Sequence, residues 1–194
     1  MSLQERVYSV LVVSAAEKLN TALAALLPEA HYSPVQFVTS VGAAKRLWSE
    51  RSFDFVIINS PLPDDAGARF AIDAGSGAGT VVLLLARAEV HDQLRDRVTD
   101  YGVFTLPKPV STPSMLLALD WMAGMRERLR HLEKKTLSVE EKMEEIRLVN
   151  RAKWLLIECL HMTEPEAHRY ITRQAMEQRV SKKELAESII RTYQ

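Results

Sequence analysis

Five short apolar runs punctuate the first part of the chain: residues 7–13, 35–39, 53–58, 81–85 and 103–106. Each has the length of a strand, and β-branched residues are frequent in them. The stretches between them, 17–27, 42–50, 66–74 and 89–100, space their apolar residues as helices do, and a fifth helix is predicted from Thr112 onward. Strands that are apolar throughout and alternate with helices predict a parallel sheet covered on both faces. The expected fold is therefore an α/β domain with a doubly wound, five-stranded parallel sheet of the flavodoxin-like kind.

The pattern then changes. Residues 118–153 contain no proline and no glycine except Gly124, and they carry a heptad repeat. One core series is Met122, Leu129, Thr136, Met143 and Asn150; the other is Ala118, Met125, Leu132, Val139, Ile146 and Lys153. Mostly apolar seams over four or five heptads predict a coiled coil, with Met125, Leu129, Leu132, Val139, Met143 and Ile146 at the dimer seam. In a parallel pair Arg128 would face the partner's Glu133 and Lys135 the partner's Glu140, while Lys142 would meet the partner's Arg147. Two attractive pairs against one repulsive pair favour a parallel homodimer, and Asn150 would fix its register. The alternative is one long amphipathic helix packed on its own domain.

Residues 151–194 form a third, short and strongly punctuated region. Thr163-Glu164-Pro165-Glu166 and Ser181-Lys182-Lys183-Glu184 both read as capping boxes. With the helix entering from the coiled coil they predict three helices. So small a bundle has little core of its own, and tethering it to a dimer would help it. The expected divisions are a domain over 1–119, a linking helix over 120–149 and an all-α domain over 150–194.

Composition narrows the function classes. The chain is 47% hydrophobic and 26% charged, and its formal charge of zero hides an asymmetry. Residues 1–120 hold ten Lys/Arg against thirteen Asp/Glu (−3), whereas residues 121–194 hold fifteen against twelve (+3). That is permissive for nucleic acid. The longest apolar run, 81–86, is far short of a membrane span, and with no leader pattern at the start a cytoplasmic protein is expected. Cys159, the single cysteine, excludes an intramolecular disulfide, and its leucine neighbours suggest a buried thiol. His161 and His168 have no carboxylate at ligand spacing, so neither a metal nor a cofactor is expected. Met176 reads as core.

Asp54-Phe55-Val56-Ile57-Ile58-Asn59-Ser60-Pro61-Leu62-Pro63, ending at Gly67, resembles the third strand and following loop of response-regulator receivers, and Lys108-Pro109 matches the family's Lys-Pro. The resemblance spans about residues 5–120. It implies that Asn59 occupies the position of the phosphoacceptor aspartate, and Ser14 and Ala15 that of the acidic pair that holds magnesium. An amide cannot act as a carboxylate nucleophile. Neither Ser14 nor Ala15 supplies the carboxylate oxygen that magnesium prefers. Leu85 and Ala86 stand where a hydroxyl is expected. Lys108 is thus a retained receiver lysine with no phosphate to contact and is expected to be structural, and Asp64 and Asp65 read as exposed turn residues. The domain resembles a pseudo-receiver that signals by contact, with a sensor protein as a further candidate partner.

Ala152-Lys153-Trp154-Leu155-Leu156, Glu166-Ala167-His168-Arg169, Arg173-Gln174-Ala175-Met176, Arg179 and residues 182–190 resemble the ANTAR signature in order and spacing. Trp154 replaces the family's usual glycine. Ala167, Ile171 and Ala175 lie four apart and would pack inward. Arg169 and Arg173 would form a basic stripe on another face, which Arg179, Lys182 and Lys183 could join, with Lys153 as a further contact or a polar intrusion in the seam. Arginine forks and helix-start amides both suit phosphate. The resemblance implies an RNA-binding antiterminator whose dimer engages paired hairpin loops in leader transcripts. The other classes are a DNA-binding response regulator, for which no recognition helix rich in base-reading residues is apparent, and a protein-interaction module. An enzyme is not expected, since no glycine-rich phosphate loop or nucleophile–base pair is present in any motif.

Overall fold

The computed structural model describes residues 6–193 except Ala78. Helices and strands follow the expected alternation: β1 (Tyr8–Val13), α1 (Glu17–Leu26), β2 (Tyr32–Val38), α2 (Val41–Glu50), β3 (Phe55–Asn59), α3 (Ala68–Gly75), β4 (Val81–Arg87), α4 (Ala88–Val98), β5 (Phe104–Lys108), α5 (Thr112–Leu160), α6 (Glu164–Gln178) and α7 (Lys182–Tyr193). The strands form one parallel sheet in the order β2-β1-β3-β4-β5, which is the doubly wound arrangement read from the sequence. Strands β1, β3 and β4 are buried on both faces, which explains their unbroken apolar runs. One face carries Leu11, Val56, Ile58, Val82 and Leu84 against α2, α3 and α4. The other carries Val10, Val12, Ile57 and Leu83 against α1 and α5. No helix among the described residues is long and apolar enough to cross a membrane.

The chain divides into two compact units, one ending at Glu133 and one running from Lys134 to Gln194. The first unit therefore extends beyond the boundary expected at 119. The reason is local: Met115, Ala118, Leu119 and Met122 are buried on the sheet, and Met125 and Leu129 pack against the same cluster. An ionic clamp at the amino-terminal ends of the strands fixes this part of α5. Asp54 accepts hydrogen bonds from the backbone and hydroxyl of Ser9 (2.9 and 3.0 Å), from Arg126 Nε (2.8 Å) and from Arg130 Nη2 (2.9 Å). Glu127 adds ion pairs to Arg6 and Arg130 and accepts from the Tyr8 hydroxyl.

In the second unit Ala152 and Leu156 of α5, Ala167, Ile171 and Ala175 of α6, and Leu185, Ala186, Ile189 and Ile190 of α7 make a separate core. Four of these nine core residues are alanines, small enough to allow close helix approach. Both capping boxes form. Glu166 accepts from the backbone and hydroxyl of Thr163 (2.8 and 2.7 Å). Glu184 accepts from the backbone and hydroxyl of Ser181 (2.8 and 3.0 Å), and Ser181 Oγ accepts from Glu184 N at 3.1 Å. These bonds hold both carboxyls below the usual glutamate range, the Thr163 and Ser181 groups being the main cause.

Candidate functional site

The carboxyl ends of β1, β3, β4 and β5 surround the place where a receiver carries its chemistry. Asn59, the last residue of β3, is buried, and its Nδ2 donates to Ser14 Oγ at 3.1 Å. Lys108, the last residue of β5, donates through Nζ to Asn59 Oδ1 (2.8 Å) and to the Ser60 carbonyl. The amide is thus satisfied on both sides, and Lys108 ties β5 to the loop after β3. Ala15 contributes no polar side chain, and Ala86 is buried without a hydroxyl. Asp64 and Asp65 are employed elsewhere. Asp64 accepts from Val41 N and Gly42 N (3.0 and 2.9 Å) at the start of α2, which holds its carboxyl below the usual aspartate range. Asp65 accepts from Gly67 N at 2.6 Å. Gly67 has φ +78° and a Cβ there would sit 2.8 Å from Ile58 Cγ2, so the glycine ending this motif is demanded by both conformation and space.

The cations of the second unit fall into two neighbouring grooves rather than one stripe. Arg169 and Arg173 line a cavity of about 1010 Å³ with Leu160, Tyr170 and Met176. Lys153 and Lys182 line one of about 260 Å³ with Ile146 and Asn150, and His168 and Thr172 border both. Arg169, Arg179, Lys182 and Lys183 are exposed. Arg173, also exposed, makes a long 3.6 Å pair with Glu177. Lys183 lies apart from both grooves, bordering cavities lined by Glu140, Glu141, Glu144 and Glu145 together with Lys142 and Arg147. Lys153 is only 16% exposed and bonds Glu164 Oε1 at 2.8 Å, so it braces the entry to α6. Arg179 ends α6 in the left-handed region, at φ 55°.

Comparison with known proteins places these features. Residues 138–190 match the ANTAR domain model. The transcriptional regulatory protein PdtaR of Mycobacterium tuberculosis is 30% identical over 171 residues, covering 88% of this chain and 83% of the relative. The chain belongs to the ANTAR response regulators. Solved receivers agree on the fold of the first unit. The signal receiver domain of an HD domain-containing protein from Pseudomonas fluorescens superposes with a TM-score of 0.58 at 23% identity, covering 68% of this chain and 96% of that one. The receiver domain of the TMAO respiratory system response regulator TorR gives 0.54 at 13% identity, covering 61% and 98%.

Within the ANTAR domain two sequence expectations, on Cys159 and Met176, need correction. Cys159 is exposed, not buried. Its leucine neighbours are adjacent in sequence, but only Leu156 of them is fully buried in the bundle. Met176 is 75% exposed instead of core, because Ala175, one residue and 100° away, takes the inward position. Trp154, the departure from the family's glycine, is 71% exposed and so leaves the bundle packing undisturbed. The Lys153–Glu164 pair joins residues eleven apart across a turn, and no local spacing signals it.

The heptad positions also divide. Met125 and Leu129 are occupied by the receiver's own core and are not a free seam. Leu132, Val139, Met143 and Ile146 are all about half exposed or more (48–59%). An apolar stripe serves sheet packing and helix pairing equally well, so the sequence pattern alone could not separate them.

Proposed function

We propose that this ANTAR response regulator binds RNA as a dimer and prevents transcription termination, with a receiver-like domain that is not phosphorylated. The observation that carries the reading is the match of residues 138–190 to the ANTAR model on a folded three-helix bundle with exposed cations on α6 and α7. Arg169 and Arg173, beside Tyr170 and Met176, combine charge for phosphate with flat or polarisable surface for an open loop base. Arg179 supports the same assignment. A left-handed residue other than glycine costs about 1–2 kcal/mol, and a glycine at this helix end would avoid that cost. An arginine at a position where glycine would be unstrained is consistent with a use for its side chain. Lys182 opens α7, where unpaired amides and ammonium groups together suit phosphate. Binding of hairpin RNA against duplex DNA of equal charge is the experiment that tests the reading.

Pairing through Leu132, Val139, Met143 and Ile146 would bring two ANTAR domains to two hairpins and raise avidity by linkage alone. Light scattering is expected to report a dimer. Leu132→Lys with Val139→Lys places like charges in the seam at exposed positions, where the fold itself loses little, and is expected to yield monomers. A wild type that is monomeric at micromolar concentration contradicts the pairing.

The unphosphorylated state follows from Asn59, Ser14 and Ala15. Acetyl phosphate with magnesium is expected to leave the protein's mass unchanged. A labile phosphoryl adduct on the receiver-like domain contradicts this.

A further inference from the structure

The charged residues lining the pocket at the carboxyl ends of the strands are mainly cations. This cavity of about 510 Å³ is lined, among the described residues, by Lys18, Arg87 and Lys108, by one acid, Glu89, and by no aspartate. Its remaining wall includes Leu19, Leu85 and Val110. Arg87 and Lys108 are register partners on adjacent strands β4 and β5, so two like charges stand side by side. Like charges directly opposite in a sheet are destabilising. Among the described residues, none of the three cations forms an ion pair. Burial, and next the neighbouring charge of Arg87, push the Lys108 ammonium below its usual value. Two bonds of Lys108 go to Asn59 Oδ1 and the Ser60 carbonyl, so one donor remains for a further acceptor. In open parallel sheets this location, outside the carboxyl ends of the strands, is where ligands bind.

We propose that this pocket binds a small organic anion non-covalently, its oxyanion group at Arg87 and Lys108 and its apolar body against Leu19, Leu85 and Val110. A bound anion supplies the counter-charge that the strand ends lack and joins β4 to β5, so the ligand replaces phosphorylation as the event at this site. The inference concerns the first unit alone and stands whether or not the second unit binds RNA.

Calorimetric titration of the full chain, at constant ionic strength in chloride, tests it with phenyl phosphate, benzoate, inorganic phosphate and phenol. Saturable binding is expected for one or both aryl anions and none for phenol. Which aryl anion binds tells a phosphate ligand from a carboxylate one, and inorganic phosphate shows how much the apolar body adds. Intact mass is expected to be unchanged, so the binding is not phosphoryl transfer. Arg87→Gln, at an exposed position, is expected to weaken binding about tenfold to a hundredfold, the effect of losing one charged hydrogen bond. Glu89→Gln is expected to tighten it by removing an acid from the lining. Absence of saturable binding by either aryl anion at millimolar concentration overturns the proposal. Equal affinity in wild type and Arg87→Gln also overturns it, as does equal binding of phenol.

Discussion

Replacing Asp54 with alanine is expected to destabilise the receiver-like unit by about 3 kcal/mol, the low end for one partner removed from a buried pair, since Arg130 keeps some access to water. The side chains of Asp54 and Arg126 are 15% and 14% exposed. The substitution leaves Arg126 without its Nε acceptor and Ser9 without two. Burial alone would raise the Asp54 carboxyl. The hydrogen bonds from Arg126 and Ser9 and the charge of Arg130 outweigh it and hold the group below the usual aspartate range. A carboxyl whose folded value is depressed contributes stability that is full above its unfolded value, near pH 4, and is lost as pH falls through the folded value. Urea unfolding of wild type and variant should therefore differ most at neutral pH and converge in acid. A gap below about 1 kcal/mol, the worth of an ordinary surface pair, or one that does not change with pH, would show that the clamp does not fasten α5 to the sheet. Such a clamp matters for signalling because α5 is the segment leading from the receiver-like unit toward the ANTAR domain.

Much of this architecture is visible in the sequence because its cause is local. Residues 55–58 of β3 and 81–86 of β4 are continuous apolar runs because helices cover both faces of these strands. Ser181 and Glu184 announce α7 because a capping box is complete within four residues. What escaped has long-range causes. Asp54 reaches α5 residues more than seventy positions away, and nothing near it in sequence marks it as a clamp. The two grooves of the ANTAR domain arise from the packing of α5, α6 and α7, so spacing along α6 could group Arg169 with Arg173 but not Lys153 with Lys182. The cationic lining of the receiver pocket is half legible. The missing acids at Ser14, Ala15 and Asn59 can be read from the receiver pattern, whereas the juxtaposition of Arg87 with Lys108 needs the strand register.

The largest effect on function is expected from the cations of the ANTAR domain, measured as a salt titration of binding to a hairpin RNA and to duplex DNA of equal charge. Wild type is expected to prefer the hairpin by at least about tenfold, or ~1.4 kcal/mol. It should lose that preference on a scrambled loop, because open loop bases can be read directly while the deep groove of an A-form helix cannot. Lys182→Ala with Lys183→Ala should weaken matched and scrambled hairpins alike and flatten the salt dependence, by roughly 0.7 of a logarithmic unit for every phosphate no longer neutralised. Arg173→Ala, beside Tyr170 and Met176, should instead cost about 1–3 kcal/mol on the matched loop and little on the scrambled one, by analogy with base-edge recognition in duplex DNA. Circular dichroism must first show each variant folded, since damage to the Ser181 capping box would mimic weaker RNA binding. Duplex DNA bound as tightly as the hairpin, or folded variants that bind as wild type does at every salt concentration, would contradict RNA recognition by this domain.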